Sequence, residues 1–211
     1  MILGDAMAVG QVGLLVVDMA RSLADPVVAD QEAGPTAAMQ CRRVLEAARS
    51  VGLPVWFSRG GKRWFTSTGS PAADVERGGW VRMNGLVEQS PEQAELAITI
   101  TPQLEPELGE VVITKSKPSA FFGTPLISQL MGARVDRLIV VEMATSCCVR
   151  ATITDAFSYD LNLVVPVECV ADRDPAAHEA NLRDIGSKYA TLCNTDELIA
   201  ELTSPFALHT N

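Results

Sequence analysis

The sequence has no excess of positive charge, no disulfide framework and no long hydrophobic run. Its 17 lysines and arginines are outnumbered by 26 aspartates and glutamates, so it offers no basic surface to a nucleic-acid backbone or an anionic membrane. Its five cysteines include no Cys-x-x-Cys pair and fit a reducing compartment. The apolar run 12–17 is too short to cross a membrane, and no basic export signal precedes it. We therefore expect a cytoplasmic protein that binds neither nucleic acid nor membranes.

What remains is the composition of an ordinary globular protein. Hydrophobic residues make up 47% of the 211 residues and charged residues 20%, with no repeat or low-complexity tract. A chain of this length buries enough surface to fold without a metal or a disulfide. We expect one domain that spans residues 1–211.

Short β-branched segments alternate with segments of helical periodicity along the chain. The strand-like segments are 12–19, 53–58, 110–115, 138–143, 163–169 and a weaker one at 189–193. The helical segments are 37–51, a short one ending near 132, 151–159, 178–189 and one that begins at 195. This alternation predicts an α/β fold: a three-layer α/β/α, Rossmann-like parallel sheet of five to six strands with helices on both faces.

The segment between 60 and 96 breaks this alternation. Gly-Gly and Gly-Ser-Pro sequences interrupt it, and a loop of that length in a compact domain is usually functional. We interpret it as part of a pocket wall or an oligomer contact. Trp64 either faces a substrate or forms a hydrophobic plug under the loop.

Chemically useful side chains follow three of the predicted strands. Asp18 follows the first, Lys115 ends the third with Lys117 close behind, and Cys147 and Cys148 follow the fourth. The carboxyl ends of parallel strands share one edge of a sheet, where ligands bind. Each residue also has an ordinary alternative: a loop-capping acid, an exposed lysine or a small buried thiol.

Together these side chains would form an activated nucleophile without histidine. A carboxylate can take the proton of a thiol, and an ammonium group stabilises the thiolate. The cysteines also precede a helix, whose N-terminal N–H groups favour negative charge. The pattern therefore indicates nucleophilic catalysis by a cysteine.

The residues resemble the cysteine hydrolases of the isochorismatase-like superfamily, and within it the N-carbamoylsarcosine amidase and maleamate amidase branch. Four motifs in the same order carry the resemblance and cover nearly the whole chain. They are Leu14-Leu15-Val16-Val17-Asp18-Met19, Lys115 to Thr124, Ala144 to Thr152, and Ala171-Asp172-Arg173 with His178-Glu179-Ala180-Asn181-Leu182.

The resemblance implies specific catalytic roles. Asp18 would be the general base and acid, Lys115 its partner, and Cys148 the nucleophile that forms a thioester. A cis peptide bond between Met143 and Ala144 would direct the Ala144 N–H, with the Cys148 N–H, at the substrate carbonyl oxygen as an oxyanion hole.

The resemblance also implies a small amide substrate, and Arg173 is the residue expected to bind its carboxylate. Thr145, Phe121 and Trp64 are further candidates for substrate contact. No cofactor is implied. Related nicotinamidases hold a zinc-like ion through one Asp and two His near the first strand, but this chain has only His178 and His209, so we expect no metal site. The resembling amidases are tetramers, and we expect a homo-oligomer, tetramer or dimer.

Two residues depart from the family pattern: Glu142 and Cys147 stand where glycine is usual. Both leave the choice of substrate open. Three alternatives to an amidohydrolase also remain at this point: a vinyl ether hydrolase of the isochorismatase type, a thiol redox protein that uses Cys147 and Cys148, and a catalytically silent binding protein. The intact acid, lysine and thiol favour the amidohydrolase.

Overall fold

The computed structural model describes residues 2–3, 10–29, 31–60, 96 and 98–204. Trp64 and the rest of the segment 61–95 lie outside the described residues. Strands and helices alternate along the described chain as follows: β1 (Gln11–Val17), α1 (Arg21–Ala24), α2 (Ala33–Ser50), β2 (Val55–Gly60), β3 (Val111–Lys115), α3 (Leu126–Gly132), β4 (Val135–Met143), α4 (Arg150–Ser158), β5 (Asn162–Pro166), β6 (Val170–Ala171), α5 (Pro175–Lys188), β7 (Thr191–Cys193) and α6 (Thr195–Leu202).

The strands form one parallel sheet. Its order is β3-β2-β1-β4-β5-β7, and the two-residue strand β6 pairs with the end of β4. From β1 the chain first adds β2 and β3 on one side of the sheet. It then crosses back and adds β4, β5 and β7 on the other side, so the strand order reverses between β1 and β4. Ligands bind at such a reversal, beyond the carboxyl ends of the strands.

Hydrophobic side chains cover both faces of the sheet, which explains why its two central strands contain the continuous apolar runs 14–17 and 138–141. Leu14 and Val16 of β1 pack with α2 and α6 on one face. Leu15 and Val17 pack on the other face with residues from α3, α4 and α5. The predicted three-layer fold with helices on both faces is therefore confirmed.

The predicted strand 163–169 is too long. Strand β5 ends at Pro166, a 3-10 turn spans Val167–Cys169, and the chain rejoins β4 as the short strand β6. Proline has no N–H to donate to a neighbouring strand, so the ladder with β7 stops at Pro166. The break carries residues 170 to 173 to the same edge of the sheet as the end of β4.

Two helices begin earlier than their periodicity predicts. Helix α5 begins at Pro175 and not at His178, because Asp174 caps it by accepting hydrogen bonds from the N–H groups of Ala176 and Ala177. Helix α2 begins at Ala33. Gly34 is required there, since a Cβ at this position would lie 1.8 Å from the carbonyl oxygen of Leu23.

None of the helices in the described part of the chain is long and apolar enough to span a membrane.

Candidate active site

The carboxyl edge of the sheet brings together side chains from β1, β3 and the turn after β4. Asp18 directly follows β1, and Lys115 is the last residue of β3. Their side chains form an ion pair in which Lys115 Nζ lies 2.5 Å from Asp18 Oδ2. The pair spans the intervening strand β2, because β1 and β3 are not neighbours in the sheet.

Asp18 adopts a backbone conformation that is unusual for a residue other than glycine. Its φ is +50°, and its N–H donates to the carbonyl oxygen of Ser58 at 3.0 Å. Aspartate tolerates the left-handed region better than most residues. The turn directs the carboxylate toward Lys115, so Asp18 is not merely a solvent-exposed cap of the following loop.

The Lys115 ammonium group is buried and has several partners. Besides Asp18, it donates to the carbonyl oxygens of Pro118 at 2.8 Å and Lys117 at 3.0 Å. Its side chain is only 1% exposed. It also lies 3.4 Å from Cys148 Sγ. Of the two lysines near the end of β3, Lys115 is therefore the one that contacts the acid and the thiol, while Lys117 contributes its backbone carbonyl.

The two cysteines lie in a π-helical turn, Thr145–Val149, between β4 and α4. The peptide bond between Met143 and Ala144 is cis. The Ala144 carbonyl oxygen then accepts hydrogen bonds from the N–H groups of Cys147 at 3.0 Å and Val149 at 3.2 Å. The turn thus holds Cys148 at the start of a helix, between the end of β4 and Lys115.

Asp172 fixes the outer side of this turn. Its Oδ2 accepts the N–H of Ser146 at 2.7 Å, and its Oδ1 accepts the N–H of Asp174 at 3.3 Å. Partial burial would raise the pKa of Asp172, but the hydrogen bonds from Ser146 and its other neighbours prevail and lower it. Asp172 is therefore a carboxylate at neutral pH, and it ties β6 to the cysteine turn.

The two adjacent thiols differ from the other cysteines. Neither forms a disulfide, and their Sγ atoms lie only 3.8 Å apart. A hydrogen bond with Cys148 and the charge of Lys115 lower the pKa of the Cys147 thiol, against burial and the charges of Asp18 and Asp172. In contrast, burial raises the pKa of Cys193 to about 12. Of the two adjacent thiols, Cys148 is the one within 3.4 Å of the Lys115 ammonium.

The remaining three cysteines are packing residues. Cys41, Cys169 and Cys193 are buried in the core on the α2 face of the sheet. Cys41 Sγ donates to the carbonyl oxygen of Cys169 at 3.2 Å. They have no connection to the site.

The predicted substrate-contact residues occupy different surroundings. Phe121 is buried in the same hydrophobic cluster as Cys148, with its ring 5.7 Å from that of Tyr159. Thr145 is fully buried, and its hydroxyl lies 2.8 Å from Nδ1 of His178. Arg173 is exposed and directly follows Asp172. Substrate contact by these residues stays a prediction, and Trp64 lies outside the described residues.

Two further residues, to which the sequence analysis gave no role in the site, also support it. Thr152, fully buried in α4, accepts the N–H of Ala120 at 3.1 Å and so ties the loop after β3 to the helix that follows the cysteines. His178, in the first turns of α5, forms a hydrogen bond with the Thr145 hydroxyl. Thr152 lies one helical turn after Cys148, a spacing that places both on one side of α4.

The described residues contain no cluster of three or more His, Cys, Asp or Glu side chains arranged to hold a metal ion. His178 is bound to Thr145, and His209 lies outside the described residues.

Comparison with known proteins identifies the family. The model of the isochorismatase domain matches residues 12–197, which include every residue of the site. The chain belongs to the isochorismatase family. A crystal structure of an isochorismatase family protein from Desulfovibrio vulgaris, 26% identical, superposes with a TM-score of 0.74 and covers 92% of this chain and 100% of its own.

Two relatives in the isochorismatase family have names that state an activity. Maleamate amidohydrolase of Pseudomonas putida is 36% identical over 132 residues, which are 63% of this chain and 62% of that protein. N-carbamoylsarcosine amidase of an Arthrobacter species is 33% identical over 161 residues, which are 76% of this chain and 59% of that protein. The matches thus span less than two thirds of either relative. The resemblance stated from the motifs is confirmed.

Proposed function

We propose that this protein is a cysteine amidohydrolase. It would cleave a carbon–nitrogen bond of a small amide or carbamoyl compound that carries a carboxylate, and release ammonia. One observation carries the proposal: the Lys115 ammonium group contacts both the Asp18 carboxylate and the Cys148 thiol. The names of the two relatives, an amidohydrolase and an amidase, support the same class of reaction.

In the first half of the reaction, Asp18 takes the proton of the Cys148 thiol and the thiolate attacks the amide carbon. Lys115 stabilises the thiolate because its ammonium group lies 3.4 Å from Cys148 Sγ. The carbon–nitrogen bond then breaks, and Asp18 returns the proton to the leaving nitrogen. The product is a thioester on Cys148 and free ammonia.

The N–H groups of Ala144 and Cys148 would form the oxyanion hole. In support of this assignment, Ala144 follows the cis peptide bond and directly precedes the turn that contains Cys148. Preorganised donors of this kind stabilise the tetrahedral intermediate, and loss of one typically costs about 3 kcal/mol of transition-state stabilisation. Water then hydrolyses the thioester and restores the Cys148 thiol.

A carboxylate on the substrate would be bound by Arg173. The guanidinium group forms paired hydrogen bonds with a carboxylate, and Arg173 follows Asp172, whose side chain contacts the cysteine turn. A local cation is needed because the chain carries a net charge of −9. Phe121, Thr145 and Trp64 complete the proposed substrate contacts.

Ammonia release from a panel of small amides tests the proposal. We expect wild-type protein to act on one or more of maleamate, N-carbamoylsarcosine, biuret and nicotinamide, with the carboxylated compounds best. Cys148→Ala should lose activity by about 10³-fold or more. Cys147→Ala, the matched control one residue away, should retain it. Inert wild-type protein, or equal activity of Cys148→Ala, would overturn the proposal.

The same variants separate the competing functions. The two Sγ atoms lie 3.8 Å apart, which favours a thiol redox protein as the second candidate. A redox function requires both cysteines and an oxidation-dependent change without turnover, whereas the amidohydrolase requires Cys148 alone. A vinyl ether hydrolase would leave all amides intact and cleave an enol ether without the thiol.

We further propose that the protein forms a homo-oligomer, tetramer or dimer. Large hydrophobic side chains are exposed on α3 and just before it, where Met131 and Phe122 are each more than 60% exposed. Surfaces of this kind often mark interfaces. Size-exclusion chromatography with light scattering measures the mass directly, and a monomer at micromolar concentration would contradict the proposal.

A further inference from the structure

A buried hydroxyl group lies beside the proposed active site without a hydrogen-bond partner. Ser58, in β2, is 1% exposed, and its Oγ has no partner among the residues that the structure describes. Buried hydroxyl groups are nearly always hydrogen-bonded, and an unpaired one costs about 1–3 kcal/mol. A bound water molecule or ligand is one way in which such a group is satisfied.

The register of the sheet fixes the direction of the Ser58 side chain. Ser58 pairs with Val17 of β1 on one side and with Ile113 of β3 on the other. Both of these neighbours belong to the hydrophobic cluster that contains Cys148. Since residues level in a sheet point to the same face, the Ser58 hydroxyl also lies on the Cys148 face.

Val17, Ser58 and Ile113 lie level with one another, just before the ion pair of the site along the strands. Lys115 is two residues beyond Ile113 and therefore on the same face, and its partner across β2 is Gly60. The ion pair therefore crosses β2 on this face, beyond Ser58 in the direction of the carboxyl end of the strand. The hydrogen bond from the Asp18 N–H to the Ser58 carbonyl oxygen holds the two residues side by side.

The carboxylate of Asp18 has an unpaired atom of its own. Oδ2 contacts Lys115, but Oδ1 is buried and has no hydrogen-bond partner in the described part of the chain. A water molecule between them would satisfy both groups at once, since it can donate one proton to Asp18 Oδ1 and exchange a hydrogen bond with the Ser58 hydroxyl.

We propose that Ser58 is a positioning residue that, with Asp18, holds the water that hydrolyses the thioester. This inference rests on the proposed amidohydrolase function. In the step, the water oxygen bonds to the acyl carbon while Asp18 Oδ1 takes a proton from the water. The carbon–sulfur bond then breaks, and its electron pair stays on Cys148 Sγ, beside Lys115. The acid product leaves, and the proton on Asp18 restores the thiol.

Competition between water and hydroxylamine for the thioester tests the role of Ser58. The ratio of hydroxamate to acid product reports the second half of the reaction only, whichever half limits turnover. We expect Ser58→Ala to raise this ratio about tenfold, because the mutant loses the hydrogen bond that positions water but not the thioester. With a substrate for which thioester hydrolysis limits turnover, Ser58→Ala should have a lower kcat and a proportionally lower KM than wild type. Its kcat/KM should therefore remain unchanged.

Two further variants control the experiment. Ser58→Thr keeps the hydroxyl group and should restore the wild-type ratio. Thr101→Val removes another buried hydroxyl without a partner among the described residues, and it should leave the ratio unchanged. If Ser58→Ala does not fold, Ser58→Cys, which is close in size, takes its place.

An unchanged product ratio in Ser58→Ala, or in Ser58→Cys if it takes its place, would overturn the inference, whether or not kcat/KM falls. That outcome does not affect the proposed function, because hydroxamate formation that requires Cys148 supports the thioester independently of Ser58. Absence of both acid and hydroxamate with the wild-type protein would instead overturn the amidohydrolase.

Discussion

Lys115 Nζ lies 2.5 Å from Asp18 Oδ2, although strand β2 separates the two strands at whose ends these residues lie. Both side chains are largely withdrawn from water, with 1% of the lysine and 15% of the aspartate side chain exposed. Two backbone carbonyls complete the surroundings of the ammonium group. The pair thus links Asp18 to the ammonium group that also contacts the Cys148 thiol.

Replacing one residue of this ion pair should destabilise the fold more than replacing both. Lys115→Met leaves the Asp18 charge without its partner, and Asp18→Asn leaves the ammonium group buried; each should lower the free energy of unfolding by about 3 kcal/mol. The double variant removes both charges and should recover part of that loss. Urea denaturation of the three variants measures the coupling. Strictly additive losses would show that the pair contributes no coupling energy.

Lys115 should also control the reactivity of the adjacent thiols. Together with the hydrogen bond from Cys148, its charge lowers the pKa of the Cys147 thiol. A lowered pKa means that thiolate is present at lower pH, so Lys115→Met should move the pH midpoint of alkylation upward. Iodoacetamide labelling followed by mass spectrometry measures this midpoint, with Cys193 as an internal control because burial raises its pKa to about 12. An unmoved midpoint would show that the lysine does not act on the thiols.

Much of the fold and the main site residues could be predicted from the sequence because both depend on local patterns. Asp18 and Lys115 end strands that are visible as short β-branched runs, and parallel strands bring such ends to one edge. Ser58 and Thr152 could not be found in this way. Their roles depend on which residues lie level in neighbouring strands or face each other across a turn, and one sequence does not contain that information.

The errors at element boundaries have a similar origin. The Asp174-Pro175 sequence is a local signal for the start of α5, and it could have corrected the prediction that the helix begins at His178. The end of β5 at Pro166 is different. Proline indicated an irregularity, but the return of the chain to β4 as β6 is a tertiary contact without a local signal.

Asp172 should make the cysteine turn sensitive to acid. Its carboxylate accepts the N–H of Ser146, and its pKa is lowered in the folded protein relative to the usual value of 3.8. A lowered folded pKa stabilises the protein above the unfolded pKa, and this contribution is lost as the pH falls through the folded value. Asp172→Asn should therefore be less stable than wild type at pH 7 by about 1 kcal/mol. The difference should shrink below about pH 4.

Thermal or urea unfolding of wild type and Asp172→Asn between pH 3 and pH 7 provides the measurement. Asp155→Asn, on the half-buried side of α4, removes a carboxylate away from the cysteine turn and controls for the change in net charge. A stability difference that does not depend on pH would contradict the assigned role of the charge.

Arg173 should determine the preference for substrates with a carboxylate. Arg173→Ala should raise KM for the best carboxylated amide by about tenfold, because a charge-assisted hydrogen bond to a carboxylate contributes about 1.5–3 kcal/mol. A neutral amide of similar size has no carboxylate to lose, so its KM should change little. Arg173→Lys keeps the charge but not the paired donors, and its KM should fall between those of wild type and Arg173→Ala.

The matched control for Arg173 is Arg183→Ala, which removes an exposed arginine from α5. Both variants change the net charge equally, so any general effect of the charge on substrate attraction appears in both. Steady-state kinetics on the carboxylated and the neutral amide give four KM ratios. An equal rise in KM for both substrates in Arg173→Ala would mean that the residue supports the loop after β6 and does not recognise the carboxylate.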